Sequence, residues 1–217
     1  DEAQLRIAVA LAAAGQIEQA RAYLVALRGQ NSQLAAQSYG VEGEIMRSAG
    51  RIEDSLKAYD AGLAAFPSDK DLLYGRAMTL LELNRLPAAE RDLRAILAKD
   101  PNDPLALNAL GYTLVDRTNR LQEAARLLKR AYAQRPHDPA IIDSMGWLAY
   151  RQGRLHAAQG YLSAAWKLGN DPEIGAHYGE VLWKLGHREQ ARRIWQQALR
   201  AHADNAVLNS TIKRLTQ

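Results

Sequence analysis

Histidine is the residue of this chain best suited to acid–base or metal chemistry, and its spacing argues against both. His137, His156, His177, His187 and His202 are scattered, and none belongs to an H-E-x-x-H pair that would set two imidazoles on one helical turn. G-x-S-x-G, phosphate-loop and G-x-G-x-x-G patterns are likewise missing from the sequence. His137, between Pro136 and Asp138, reads as a turn residue, and His156 as an exposed helix position. With no cysteine, disulfides, thiol catalysis and Cys-based zinc sites are excluded. The expectation is a non-enzyme with no catalytic residue, metal or cofactor. What remains is recognition chemistry, carried by aromatic rings and a few carboxylates, and the question becomes which elements present them.

Three columns of residues recur in one register. Small residues stand at Ala20, Ser55, Ala89, Ala124, Ala158 and Ala191, at steps of 33 to 35 residues. Five residues before each stands a Gly or Asn (Gly15, Gly50, Asn84, Asn119, Gly153, Gly186), the types that enter left-handed backbone easily and so mark a turn between paired helices. Four residues after each stands a large apolar knob: Leu24, Tyr59, Leu93, Leu128, Leu162, Trp195. Pro67, Pro101 and Pro136 fall where second helices should stop, while Pro104, Pro139 and Pro172 open first helices behind the N-caps Asp103, Asp138 and Asp171. The predicted units are 1–35, 36–69, 70–103, 104–138, 139–171 and 172–205, with a capping helix at 206–217 whose Val207, Leu208, Ile212 and Leu215 share one face. Linkers and low-complexity tracts do not interrupt the count, so one domain over 1–217 is expected. The apolar residues Leu5, Ile7, Val9 and Leu11 surround the first helix without a polar cap, so further repeats are expected upstream in a longer protein.

The pattern Leu107-x-x-Leu110-Gly111-x-x-Leu114, Ala124-x-x-x-Leu128-x-x-Ala131, Pro136, and its second copy beginning at Ile142, resembles the tetratricopeptide (TPR) repeat. That resemblance implies an all-α, right-handed superhelical solenoid of six TPR hairpins closed by the capping helix. In such a stack the first helix of each unit lines a concave wall, and its positions 2, 5, 9 and 12 face inward. On that stripe fall Tyr74, Asn108, Tyr112, Asp143, Trp147, Tyr150, Glu180 and Trp183, together with Glu2, Glu44, Arg47, Asp71 and Glu173. Aromatics gather in the last three units, where Tyr112, Trp147, Tyr150 and Trp183 are candidate anchors for a protein partner. Packing against the neighbouring first helix is the alternative for them. Trp195 and Trp166 read as core. Among the acids, Glu2, Asp71 and Glu173 lie in first turns, where they complement the helix dipole, which leaves Glu44, Asp143 and Glu180 as candidate contacts and a partner bearing apolar or basic groups.

A net charge of +4, built from 28 basic and 24 acidic residues without a long one-sign block, points to solvated helix faces rather than to nucleic acid. The run Leu5–Gly15 reads as a helix rather than a signal segment, and no stretch of 18 apolar residues occurs.

The sequence from Asn108-Ala-Leu-Gly-Tyr112 to Asp116-Arg-Thr-Asn-Arg120, Asp143-Ser-Met-Gly-Trp147 to Tyr150-Arg151, and His177-Tyr-Gly-Glu180-Val-Leu-Trp183 resembles bacterial outer-membrane TPR lipoproteins. Those are similar in turn to adaptors of periplasmic carboxyl-terminal processing proteases. The resemblance implies a scaffold that docks such a protease and presents cell-wall hydrolases to it, with Arg151 among the binding-surface residues. It also implies a periplasmic location and contact with the membrane only through a lipid anchor outside this sequence. A module of a secretion or envelope-assembly machine and the substrate-selecting arm of a larger enzyme are the alternatives. Acids on the stripe argue against the chaperone-binding TPR class, which clamps a carboxylate there with Lys, Arg and Asn.

Overall fold

The computed structural model describes residues 2–217, and the side chain of Glu2 lies outside the described part. Thirteen α-helices follow one another among the described residues: α1 (Glu2–Ala13), α2 (Ile17–Gln30), α3 (Ala35–Ser48), α4 (Ile52–Ala65), α5 (Lys70–Glu82), α6 (Leu86–Lys99), α7 (Pro104–Arg117), α8 (Leu121–Gln134), α9 (Pro139–Arg151), α10 (Leu155–Leu168), α11 (Pro172–Lys184), α12 (Arg188–Ala201) and α13 (Ala206–Thr216). A short 3-10 turn, Ser32–Leu34, precedes α3. The helices pair as the six expected hairpins, with α13 as the added terminal helix. Prolines stand at the first position of α7, α9 and α11, where the missing N–H is no loss. Asp103, Asp138 and Asp171 cap these helices, their carboxylates accepting from Ala106 N at 2.8 Å, Ala140 N at 3.0 Å and Glu173 N at 2.8 Å. Asp69 caps α5 and Asn205 caps α13 in the same way.

Within each hairpin the small column and the knob column meet. All six small residues are fully buried, and none of the six knobs is more than 3% exposed. The knob fits because the first helix carries a small residue opposite it, glycine in four hairpins (Gly43, Gly111, Gly146, Gly179) and, at the same spacing, Ala8 and Ala77 in the other two. A Cβ on Gly146 would lie 2.6 Å from Leu162, and one on Gly179 would lie 2.0 Å from Trp195. Ser55 is the one polar member of the small column, and its hydroxyl is satisfied by Thr79 at 3.1 Å.

Five of the six turns between paired helices use a left-handed residue: Gly15, Gly50, Asn84, Gly153 and Gly186. There the last carbonyls of the first helix are closed by backbone N–H groups, as when Gly153 N donates to Tyr150 O and Arg154 N to Ala149 O. Asn119 was expected to do the same and does not. Helix α7 ends two residues before Asn119, as α9 ends two before Gly153, but the residue that follows it, Thr118, is extended (φ −142°, ψ 178°) where Gln152 is not (φ −86°, ψ 3°). Its exposed carbonyls are closed instead by a side chain from the next repeat, described below.

The chain falls into two compact units, Asp1–Pro101 with α1 to α6 and Asn102–Gln217 with α7 to α13. In the first, Ala8, Ala20, Leu24, Ile45 and Met46 form a core shared by α1, α2 and α3. In the second, a continuous core runs through α9 to α13 and includes Leu162, Trp166, Ile174, Leu182, Trp195 and Leu208.

Candidate functional site

In the second unit the first helices are stitched together by the stripe residues themselves. His177 of α11 is the hub. Its Nδ1 lies 2.9 Å from Asp143 Oδ2 and 3.0 Å from Oδ1, and both side chains are buried. The imidazole stacks on Trp147, with centroids 4.1 Å apart, and Trp147 stacks in turn on Tyr150 at 4.7 Å. On the α7 side, the Tyr112 hydroxyl lies 3.4 Å from His177 Nε2, and the Trp147 indole N–H donates to Asp116 Oδ1 at 3.4 Å. Burial by itself would lower the pKa of His177. The Asp143 carboxylate outweighs it by charge and by hydrogen bond, Glu173 and Asp116 add to the field, and the pKa is raised above the ordinary histidine value.

Helices α9, α11 and α13 are joined by a second buried carboxylate. Glu180, 3% exposed, accepts from the Tyr150 hydroxyl at 2.7 Å and from Arg214 of α13 at 2.6 Å. Burial and this carboxylate push the Tyr150 hydroxyl pKa well up, so it remains a donor at any ordinary pH. Asp143 and Glu180 were expected to offer free negative charge to a partner. Each is instead neutralised by a cation brought from a neighbouring helix, because an unpaired carboxylate at that depth would be strongly disfavoured.

The remaining stripe residues divide by exposure. Trp147 is buried, sandwiched as described, while Tyr112, Tyr150 and Trp183 are half-buried and keep part of their rings at the surface. Trp183 leans on Trp195 at 5.6 Å and lies under the guanidinium groups of Arg188 and Arg192 at 5.2 and 5.6 Å. Asn108 is half-buried too, and its side-chain oxygen is buried without a hydrogen-bond donor. Arg151 is committed to structure. It donates to the carbonyl of Val115, to those of Asp116 and Thr118 at 3.2 Å, and to Asn119 Oδ1 at 3.4 Å, thereby closing the open end of α7. In the first unit, Tyr74 is half-buried on α5, and Glu44 pairs with Arg47, which also reaches Glu82 at 2.7 Å.

Reading the sequence missed His177 as a hub, Arg214 as its counterpart at Glu180, and the role of Arg151. A signal was present for the first two. Asp143 to His177 and Glu180 to Arg214 are each 34 residues apart, one repeat length, so opposite charges at that spacing meet across adjacent units. Among the described residues, no three His, Asp or Glu side chains gather so as to hold a metal ion, and no helix is long and apolar enough to cross a membrane.

The tetratricopeptide-repeat profile matches residues 5–70, 42–104 and 74–139. The TPR repeat-containing protein PA4667 of Pseudomonas aeruginosa is 44% identical over 214 residues, which is 99% of this chain and 36% of that protein. The chain therefore spans about a third of its relative's length. Among solved structures, a chain of the APC/C hetero-tetramer Cut9–Hcn1 is similar with a TM-score of 0.78 at 17% identity, covering 99% of this chain and 42% of that one. PilW, a type IV pilus biogenesis factor, is similar with a TM-score of 0.75 at 15% identity, covering 97% of each chain. At such identities the likeness is one of fold. With hairpin register and sequence profile agreeing over more than half of its length, the chain belongs to the tetratricopeptide repeat family of protein-interaction scaffolds.

Proposed function

We propose that this chain is the docking region of a longer, non-enzymatic adaptor, and that the wall formed by α7, α9, α11 and α13 receives a protein partner. The observation that carries this reading is the cross-helix network. His177, Asp143, Trp147, Tyr150, Glu180 and Arg214 tie α9, α11 and α13 together, Asp116 and Tyr112 bring in α7, and Trp183 leans on Trp195, so that the partly exposed rings of Tyr112, Tyr150 and Trp183 are held in fixed positions. Rings held this way lose little freedom on binding, which is what a hot-spot anchor requires. On the resemblance noted from the sequence, the partner is a periplasmic carboxyl-terminal processing protease, its cell-wall hydrolase substrates are presented alongside, and the full-length protein is lipid-anchored at the outer membrane.

The test uses the full-length protein with Tyr112→Ala and Trp183→Ala, each checked for retained helicity and melting temperature. Capture of the processing protease and its cleavage of a cell-wall hydrolase are then compared with the parent. Truncating an anchor should cost about 2 kcal/mol, roughly thirtyfold in affinity. Folded variants that capture and cleave as well as the parent would refute the assignment of this wall.

A further inference from the structure

The second helices of the same unit hold a feature that the first-helix wall does not use. Between α8 and α10 lies an open cleft of about 620 Å³, walled by Tyr132 and Tyr161 and floored by Ala157, Gly160 and Ala164, with Leu168 at one end. The two tyrosines meet edge to face at 6.1 Å, and Leu168 is 54% exposed.

Gly160 is the anomaly. Two residues past the small column, units two, three, four and six carry Lys57, Arg91, Arg126 and Arg193, whereas unit five carries glycine. Glycine inside a helix is worse than alanine, and nothing within this chain asks for it here, since a Cβ at Gly160 would meet no atom within 4 Å. The corresponding space in the first unit, between α4 and α6, is lined by charge: Asp60, Arg76, Arg91 and Asp92, with Arg76 tied to Asp92 at 2.8 Å and to Asp60 at 2.9 Å. The repeat architecture therefore fills this position with ionic groups in one place and leaves it apolar, open and backbone-deep in another.

We infer that the α8–α10 cleft is a second protein-docking site, and that its occupant is an amphipathic α-helix of a partner with small or apolar residues on one face and carboxylates along its flanks. A floor of small residues at positions i, i+3 and i+7 lets another helix approach closely along α10. From Ala157 to Leu168 the floor runs for about 16 Å, the length of three helical turns. The charge of the occupant follows from the rim. Lys167 and His137 line the cleft, Lys129 on α8 and Arg135 just past its end lie three residues to either side of Tyr132, and no carboxylate lines it. Asp138, which follows His137 in the chain, lies 4.0 Å from Arg135. This site is distinct from the first-helix wall and stands or falls separately from it.

A display library of three-turn helices, with a randomised apolar face and either glutamate or lysine flanks, is selected against the 217-residue chain. Glutamate-flanked binders should dominate. They should lose at least tenfold in affinity to Gly160→Leu and to the Lys129→Glu, Lys167→Glu double variant, and should be unaffected by Trp183→Ala. Gly160→Ala should melt higher than the parent while binding the same helices more weakly, a combination that a purely structural glycine would not give. An absence of binders, dominance of lysine-flanked ones, indifference to Gly160→Leu, or a lower melting temperature for Gly160→Ala would each overturn the proposal.

Discussion

The same repeat is built from different chemistry in the two units. Over 1–101 there are twelve Lys and Arg against fourteen Asp and Glu, no tryptophan and no histidine, whereas 102–217 holds sixteen against ten, all four tryptophans and all five histidines. The first unit joins its first helices by an exposed ion pair, Arg47 with Glu44 and Glu82. The second joins them by a buried aromatic stack with two enclosed carboxylates, each matched by a cation from a neighbouring helix. The backbone scaffold tolerates both because it depends on the small, glycine and knob columns. The stripe residues are free to vary, and in the second unit they add a rigid, partly aromatic surface. Specialisation here is laid over a repeat frame that does not require it.

The largest test of that contrast is His177→Ala. It leaves the Asp143 carboxylate buried without a cation and should cost about 3 to 5 kcal/mol in the second unit, read by denaturation with hydrogen exchange to locate the loss. Replacing Asp143 and His177 together by leucines should recover much of that stability. The sign with pH follows from the raised pKa. The protonated pair is fully stabilising below the unfolded value of 6.5, and its contribution is lost as pH rises through the folded value. Residues 102–217 should therefore weaken above about pH 6.5, and 1–101, lacking histidine, should stay level to pH 9. Equal pH dependence in the two units would remove His177 from the centre of the account.

A middle-sized test compares two glycines. Gly179→Ala drives a methyl into Trp195 and should cost about 1 to 3 kcal/mol. Gly40→Ala in α3 of the first unit meets only Leu72 at 3.7 Å and should stabilise by about 0.5 to 1 kcal/mol. Matching signs would mean that knob packing does not decide which glycines are required. The smallest effect should come from Arg47→Ala. Its side chain is 33% exposed, and the loss should stay at about 0 to 1 kcal/mol and fade in 0.5 M salt. A larger, salt-resistant loss would show that the exposed pair does the work assigned to the buried stack.

Hairpin boundaries were legible from the sequence because each depends on local steric rules: proline at a helix start, aspartate before it, glycine in the turn. The failure at Asn119 shows the limit of that rule. Helix α7 ends two residues before Asn119, as α9 ends two before Gly153, yet the chain leaves it through extended Thr118, and a guanidinium 32 residues away replaces the local turn chemistry. Burial of the six knobs followed from period alone. The fate of Trp147 did not, because whether a stripe aromatic faces a partner or a neighbour depends on how closely adjacent first helices approach.

What the sequence determined by itself was thus the family, the order of hairpins and the columns that pack them, all of which rest on contacts within a single hairpin and on φ preferences of single residues. Only the tertiary structure decided which stripe residues remain available. The pairing of Asp143 with His177, of Glu180 with Arg214, and of Arg151 with the end of α7 joins residues 33 to 36 positions apart. Charge and ring geometry across that gap are set by helix-to-helix packing, a quantity that no local preference encodes.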